Sequence, residues 1–103
     1  MIDLNEHAKK AQEIAFNRWY KKDVDYHTPA ILKHCAGEVC EAVEAYDKYL
    51  YEYIESNRNK LAAELADIIN CALIAAANED IDIEKALQEC QQKNEARAME
   101  GSK

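Results

Sequence analysis

The chain has 103 residues, a formal net charge of −7, two glycines and one proline. That length suits one domain with a modest core, and scarce Gly and Pro beside abundant Ala, Glu, Leu and Lys make the class all-α. The acidic balance argues against a nucleic-acid backbone or an anionic membrane as partner, and Glu64 and Asp67 interrupt the longest apolar run, so no membrane span is expected.

The opening residues, MIDLNEHAKK, read as an amphipathic helix start without the apolar stretch of a signal peptide, which sets the expected location as cytoplasmic. Apolar residues from Ile2 to Trp19 recur at three- and four-residue steps and predict a first helix over 3–21, with Asp3 or Asn5 as its cap. Residues 21–27 read as a loop. Thr28-Pro29 then signals a helix start, with Thr as N-cap and Pro at the first position. The second helix is expected to run to about residue 55 on a core stripe of Leu32, Cys35, Val39, Val43, Tyr46, Leu50 and Tyr53. Gly37 inside it either permits close helix approach or leaves room for a ligand beside Glu38.

Residues 55–60 read as a polar connection and 60–78 as the third helix. Within 61–77 only Glu64, Asp67 and Asn70 are polar, so this helix is expected to be buried on all sides. After a turn at 78–82, Asp82 is the expected N-cap of a fourth helix over 83–98, with Ile81 able to staple onto Ala86. Residues 99–103 form a fraying tail. The short connections imply a single domain, 1–103, built as a four-helix antiparallel bundle with its core at 28–98. Cys35, Cys40, Cys71 and Cys90 sit at apolar helical positions with no C-x-x-C pair, so buried reduced thiols are expected, without zinc or disulfides.

Burying a carboxylate without a partner costs several kcal/mol, and no base within the third helix neutralises Glu64 and Asp67. The second helix carries Glu38 and Glu41 at the same spacing and at the same offset from its own stripe. An antiparallel pair of such helices can converge all four acids. Four hard oxygen donors select Mg²⁺, Mn²⁺ or Ca²⁺ over Zn²⁺. A diiron centre is disfavoured, because no His follows a Glu at the Glu-x-x-His spacing. The plainer alternative, a solvated acidic face, suits the second helix alone and fails for the third.

Other groups are less decisive. His34 lies one turn before Glu38 and is a candidate hydrogen-bond partner or substrate contact, while His7 and His27 read as surface residues. Asn70 continues the polar stripe of the third helix. Lys93 and Arg97 share one helix face with Asn94 between them; by spacing alone they offset the helix dipole or grip an anion. Trp19 and Tyr20 are able to stack on a base, but Trp19 at helical spacing is taken as core.

The ordered set Glu38-x-x-Glu41 then Glu64-x-x-Asp67, within GEVCEAVEAY and ELADIINCALIAA, and followed by IDIEKAL and Lys93-Asn94-x-x-Arg97, resembles the MazG-like all-α nucleoside triphosphate pyrophosphohydrolases over about residues 30–98. The resemblance implies a Mg²⁺-dependent cut between the α- and β-phosphates of a (d)NTP, with the four acids holding the metal and Lys93, Asn94 and Arg97 contacting phosphates. It also implies a homodimer or homotetramer. Gly37 stands where many members carry an additional acid. Among the acids, Glu41 is the candidate base for the attacking water, with Glu38 beside it. Two alternatives stand beside the enzyme: a nucleotide- or Mg²⁺-binding regulatory module with weak turnover, and a plain helical oligomerisation domain.

Overall fold

In the computed structural model, residues 2–20 and 26–101 are described. Residues 21–25 of the expected 21–27 loop, the Tyr20 side chain and the tail residues 102–103 lie outside them. The described residues form four helices and no strand: α1 (Leu4–Tyr20), α2 (Thr28–Tyr51), α3 (Glu55–Asn78) and α4 (Ile83–Met99).

Local chemistry explains most of the helix ends. Asp3 caps α1, its carboxylate accepting the Asn5 and Glu6 amides at 3.0 and 3.2 Å. His27, not Thr28, is the N-cap of α2. The Thr28 hydroxyl instead donates to the Glu79 carboxylate at 2.5 Å, tying the start of α2 to the end of α3. The α2–α3 connection is shorter than expected: α2 stops at Tyr51, and the polar run 55–60 is the first part of α3. Ser, Asn, Arg and Lys there are tolerated because this end of α3 is exposed.

At its other end α3 closes with Asp80 in the left-handed region (φ 54°), while the Ile81 amide returns to the Ala76 carbonyl at 2.9 Å. A short polar side chain tolerates that conformation better than a branched one. Asp82 caps α4 as expected, accepting from the Lys85 amide at 3.1 Å. Asn5 supports the same terminus from α1, accepting the Ile83 amide at 3.0 Å and donating to Asp82 at 2.9 Å.

The chain forms a helical bundle whose core is gathered at one end. Ala11 and Ala15 of α1, Ile31 of α2, and Cys71, Ile74 and Ala75 of α3 pack together, with Trp19 and Cys35 against them. α2 and α3 run antiparallel, since Cys35 lies by Ile68 while Lys48 lies by Lys60. With 24 residues each they extend about 36 Å, whereas the 17 residues of α1 cover about 25 Å. α1 therefore covers only one end of the α2–α3 pair. α4 packs chiefly against α1 and has no buried residue.

Several expectations are corrected by the structure. The α2 line facing α3 is Ile31, Cys35, Glu38, Ala42 and Ala45, whose small residues allow close approach. The larger stripe of Leu32, Val39, Val43, Tyr46, Leu50 and Tyr53 lies outside, with Val43 56% exposed. Nor is α3 buried all round: its buried residues are Cys71, Leu73, Ile74, Ala75 and Ala76, while Leu65 and Ile69 are 49% and 59% exposed beyond the reach of α1. α3 is also long and apolar enough to cross a membrane by length and composition, despite Glu64 and Asp67. Of the cysteines, Cys71 is buried and its thiol is pushed up to about 11, chiefly by burial, but Cys40 and Cys90 are exposed. No atom lies within 4 Å of a Cβ built at Gly37, so within the chain it serves no close helix approach.

Candidate metal centre

Midway along the α2–α3 pair, carboxylate oxygens of Glu38, Glu41 and Glu64 lie within 4.8 Å of one another. The three-residue step puts Glu38 and Glu41 on one flank of α2, and antiparallel pairing brings Glu64 opposite them. Glu38 and Glu64 are half-buried and Glu41 is exposed. Glu38 Oε2 and Glu64 Oε2 are buried with no hydrogen-bond partner, the arrangement that a carboxylate adopts only at a free-energy cost.

The electrostatics agree. The Glu38 carboxyl is held above its ordinary 4.5, first by burial and then by repulsion from Glu41 and Asp67, with His34 opposing. The Glu64 carboxyl is raised for the same reasons, with Lys60 opposing. Glu41 stands close enough to share a proton with either, so the cluster accommodates a bound proton or a cation in place of mutual repulsion. Asp67 is exposed and adds its charge to both, but its oxygens stand outside the closest trio. The donors fit a hard divalent cation: oxygen only, from two helices, with two oxygens lacking any other partner.

The remaining candidates divide. His34 joins the site, its Nε2 lying 3.0 Å from Glu38 Oε1. Asn70 is exposed on α3, and no described contact carries it to the acids. Lys93, Asn94 and Arg97 are exposed on α4, which packs on α1 and not on the acid-bearing stretch of α2–α3; Asn94 donates weakly to Cys90 Sγ at 3.8 Å. Trp19 is partly buried against the core, as expected.

Two lysines were missed by sequence reasoning. Lys48 and Lys60 line a cleft of about 260 Å³ together with Glu41, Glu44 and Glu64. The signal was present in the four-residue steps Glu44–Lys48 and Lys60–Glu64, each of which puts a cation on the same flank as an acid. A larger cleft of about 530 Å³ lies away from the Glu38–Glu41–Glu64 cluster, between α1 and the α3–α4 turn, with Lys9, Glu13, Asp80 and Asp82 in its lining.

Residues 27–101 match the MazG nucleotide pyrophosphohydrolase domain. The domain defines a class of hydrolases acting on nucleoside triphosphates, and the match takes in α2, α3 and α4 with the whole acidic cluster. The chain belongs to the MazG family. Neither curated proteins nor solved structures give a match.

Proposed function

We propose that this protein is a Mg²⁺-dependent pyrophosphohydrolase that cleaves the α–β phosphoanhydride of a (d)NTP to a nucleoside monophosphate and pyrophosphate. The observation that carries the reading is the convergence of Glu38, Glu41 and Glu64 from two helices, with two buried carboxylate oxygens left without partners. In this reading Glu38, Glu41, Glu64 and Asp67 hold the cation, Mg²⁺ or in its place Mn²⁺. When bound, that ion supplies charge neutralisation on the phosphates and polarises a water.

The residues of the chain do the rest. Glu41 is the exposed member of the trio and is positioned to orient an attacking water and take its proton. Lys48 and Lys60, beside Glu41 and Glu64, supply positive charge for phosphate oxygens. Lys93, Asn94 and Arg97 are assigned to phosphate contact in an assembly, where α4 of one copy reaches the site of another.

That assembly, a homodimer or homotetramer, is supported by the exposed stripe of Leu32, Val39, Val43, Tyr46 and Leu50 and by the exposed Leu65 and Ile69. A second copy covers apolar surface of this kind at a gain of about 25 cal/mol per Å². The same argument favours a subunit interface over a membrane span for α3: each acid at mid-membrane costs about 2.5–3.5 kcal/mol on insertion scales, and here Glu64 faces the acids of α2. The cytoplasm is the proposed location, and the whole chain is proposed to act as one domain.

The test is product analysis. A panel of normal and modified (d)NTPs is incubated with Mg²⁺ or with chelator, and monophosphate and pyrophosphate are quantified. Equimolar monophosphate and pyrophosphate, formed only with the metal, supports the reading. Metal-dependent nucleotide binding without turnover favours the regulatory module instead.

A further inference from the structure

His34 is one helical turn before Glu38 and stands on its solvent side: the imidazole is 54% exposed and the carboxylate side chain 12%. The two oxygens of Glu38 have different surroundings. Oε1 lies 3.0 Å from His34 Nε2, at ion-pair distance, while Oε2 is buried and accepts from nothing. The ring of His34 is itself seated edge-on against Trp19, with centroids 6.0 Å apart and planes at 74°. Trp19 packs on the Ala11–Ile74 core cluster. A continuous set of contacts therefore runs from the core through Trp19 and His34 to one oxygen of Glu38.

This differs from an ordinary pair of side chains four apart on a helix. Glu38 faces Glu41 and Asp67, whose charges repel it. Without a donor on its outer side, rotation toward solvent would relieve that repulsion and withdraw the carboxylate from the cluster. The imidazole contact at the outer oxygen opposes the rotation and leaves the inner oxygen as the group available to a cation.

We infer that His34 is a positioning residue, which holds Glu38 through Oε1 so that Oε2 alone is presented to a divalent cation, with Trp19 setting the imidazole. The inference rests on the carboxylate cluster being a metal site. It assigns Glu38 one-oxygen coordination, and it moves His34 from substrate contact to ligand support.

The test is direct Mn²⁺ binding, followed by the electron paramagnetic resonance signal of the free ion without nucleotide, on wild type, His34→Ala, His34→Phe and His34→Gln. Removing a support of this kind weakens metal affinity about 10–100-fold, so the Ala and Phe variants lose affinity by that factor. Gln keeps an N–H donor at similar reach and recovers most of the affinity that the Ala and Phe variants lose. Metal-free melting temperatures are the same across the set, which separates positioning from folding. Unchanged Mn²⁺ affinity in His34→Ala overturns the inference. A Phe variant equal to wild type overturns the polar contact as its basis. Weaker nucleotide binding at unchanged Mn²⁺ affinity overturns it in favour of a substrate contact. Absence of Mn²⁺ binding by wild type defeats the metal reading itself, and is thereby distinct from failure of the His34 assignment.

Discussion

Glu38 and Glu64 come from different helices, yet each turns its Oε2 into the protein, where that oxygen meets no donor. A structure selected for stability alone would fill those positions with apolar side chains or give them partners. The pair marks where α2 and α3 give up stability, as the proposed cation site would require.

Glu38→Gln removes one of the repelling charges at constant shape and brings an amide donor beside Glu41 and Glu64. The metal-free variant is expected to melt a few degrees above wild type, and to lose the gain in melting temperature that Mg²⁺ gives wild type. Calorimetry with and without Mg²⁺ checks both; a variant that melts lower than wild type in chelator contradicts the repulsion.

The same acids set a pH dependence. Glu38 and Glu64 are raised above 4.5, first by burial and then by Glu41 and Asp67. A raised folded-state value means that their stabilising effect is complete below about 4.5 and is lost as pH rises through the raised value. Asp82 has the opposite sign. Hydrogen bonds from Asn5 and the Lys85 amide lower it below 3.8, so its contribution is present above that value and is lost as pH falls through the depressed one. In the window above about 4.5 the glutamates dominate. Metal-free protein is therefore expected to melt higher at about pH 5 than at about pH 8, and saturating Mg²⁺ to narrow that gap. A gap that Mg²⁺ leaves unchanged would contradict the site.

Asn5→Ala removes the side chain that accepts the Ile83 amide and bonds Asp82. Loss of a cap of this kind costs about 1 kcal/mol, and because α4 has no buried residue to compensate, the loss is expected to fall on α4. Amide hydrogen exchange should quicken along α4 while the Ile31–Ile74 core keeps its protection.

Gly37→Ala meets open space, since no atom lies within 4 Å of the added Cβ. Replacing a mid-helix glycine with alanine is expected to stabilise by about 0.5–1 kcal/mol in urea unfolding. Destabilisation would mean that a second copy approaches closely at this point.

Val43→Lys and Ile69→Lys each put a charge on the exposed apolar face, where both residues are more than half exposed in the single chain. If a second copy covers them, each loses about 1.5–3 kcal/mol of burial, and sedimentation should shift from oligomer to monomer. A wild type that sediments as a monomer at micromolar concentration would remove the interface argument.

The convergence of Glu38, Glu41 and Glu64 was legible in the sequence. Glu64 and Asp67 declared themselves by being polar where α3 has almost nothing else polar, and the matching spacing of Glu38 and Glu41 pointed to a shared geometric task. Asp82 was legible as a cap because an acid before an amphipathic run has one obvious use. The packing face of α2 was not legible. Two stripes at three- and four-residue steps lie side by side, and periodicity favoured the larger side chains, whereas close approach to α3 uses Ala42 and Ala45. The start of α3 was hidden for a related reason: an exposed first turn tolerates Ser56, Asn57 and Asn59, so polarity there resembled a loop. The place of Lys93 and Arg97 was beyond reach because α4 packs on α1, and spacing along one helix cannot say which other surface that helix meets.

The most direct measurement is the rate of pyrophosphate release from the preferred (d)NTP with Mg²⁺, for wild type beside Glu38→Gln and Asp67→Asn. Mg²⁺-dependent release by wild type that falls at least about a hundredfold in both variants is the predicted result. Release that persists at the wild-type rate in either folded variant would contradict the assignment of the reaction to these four acids.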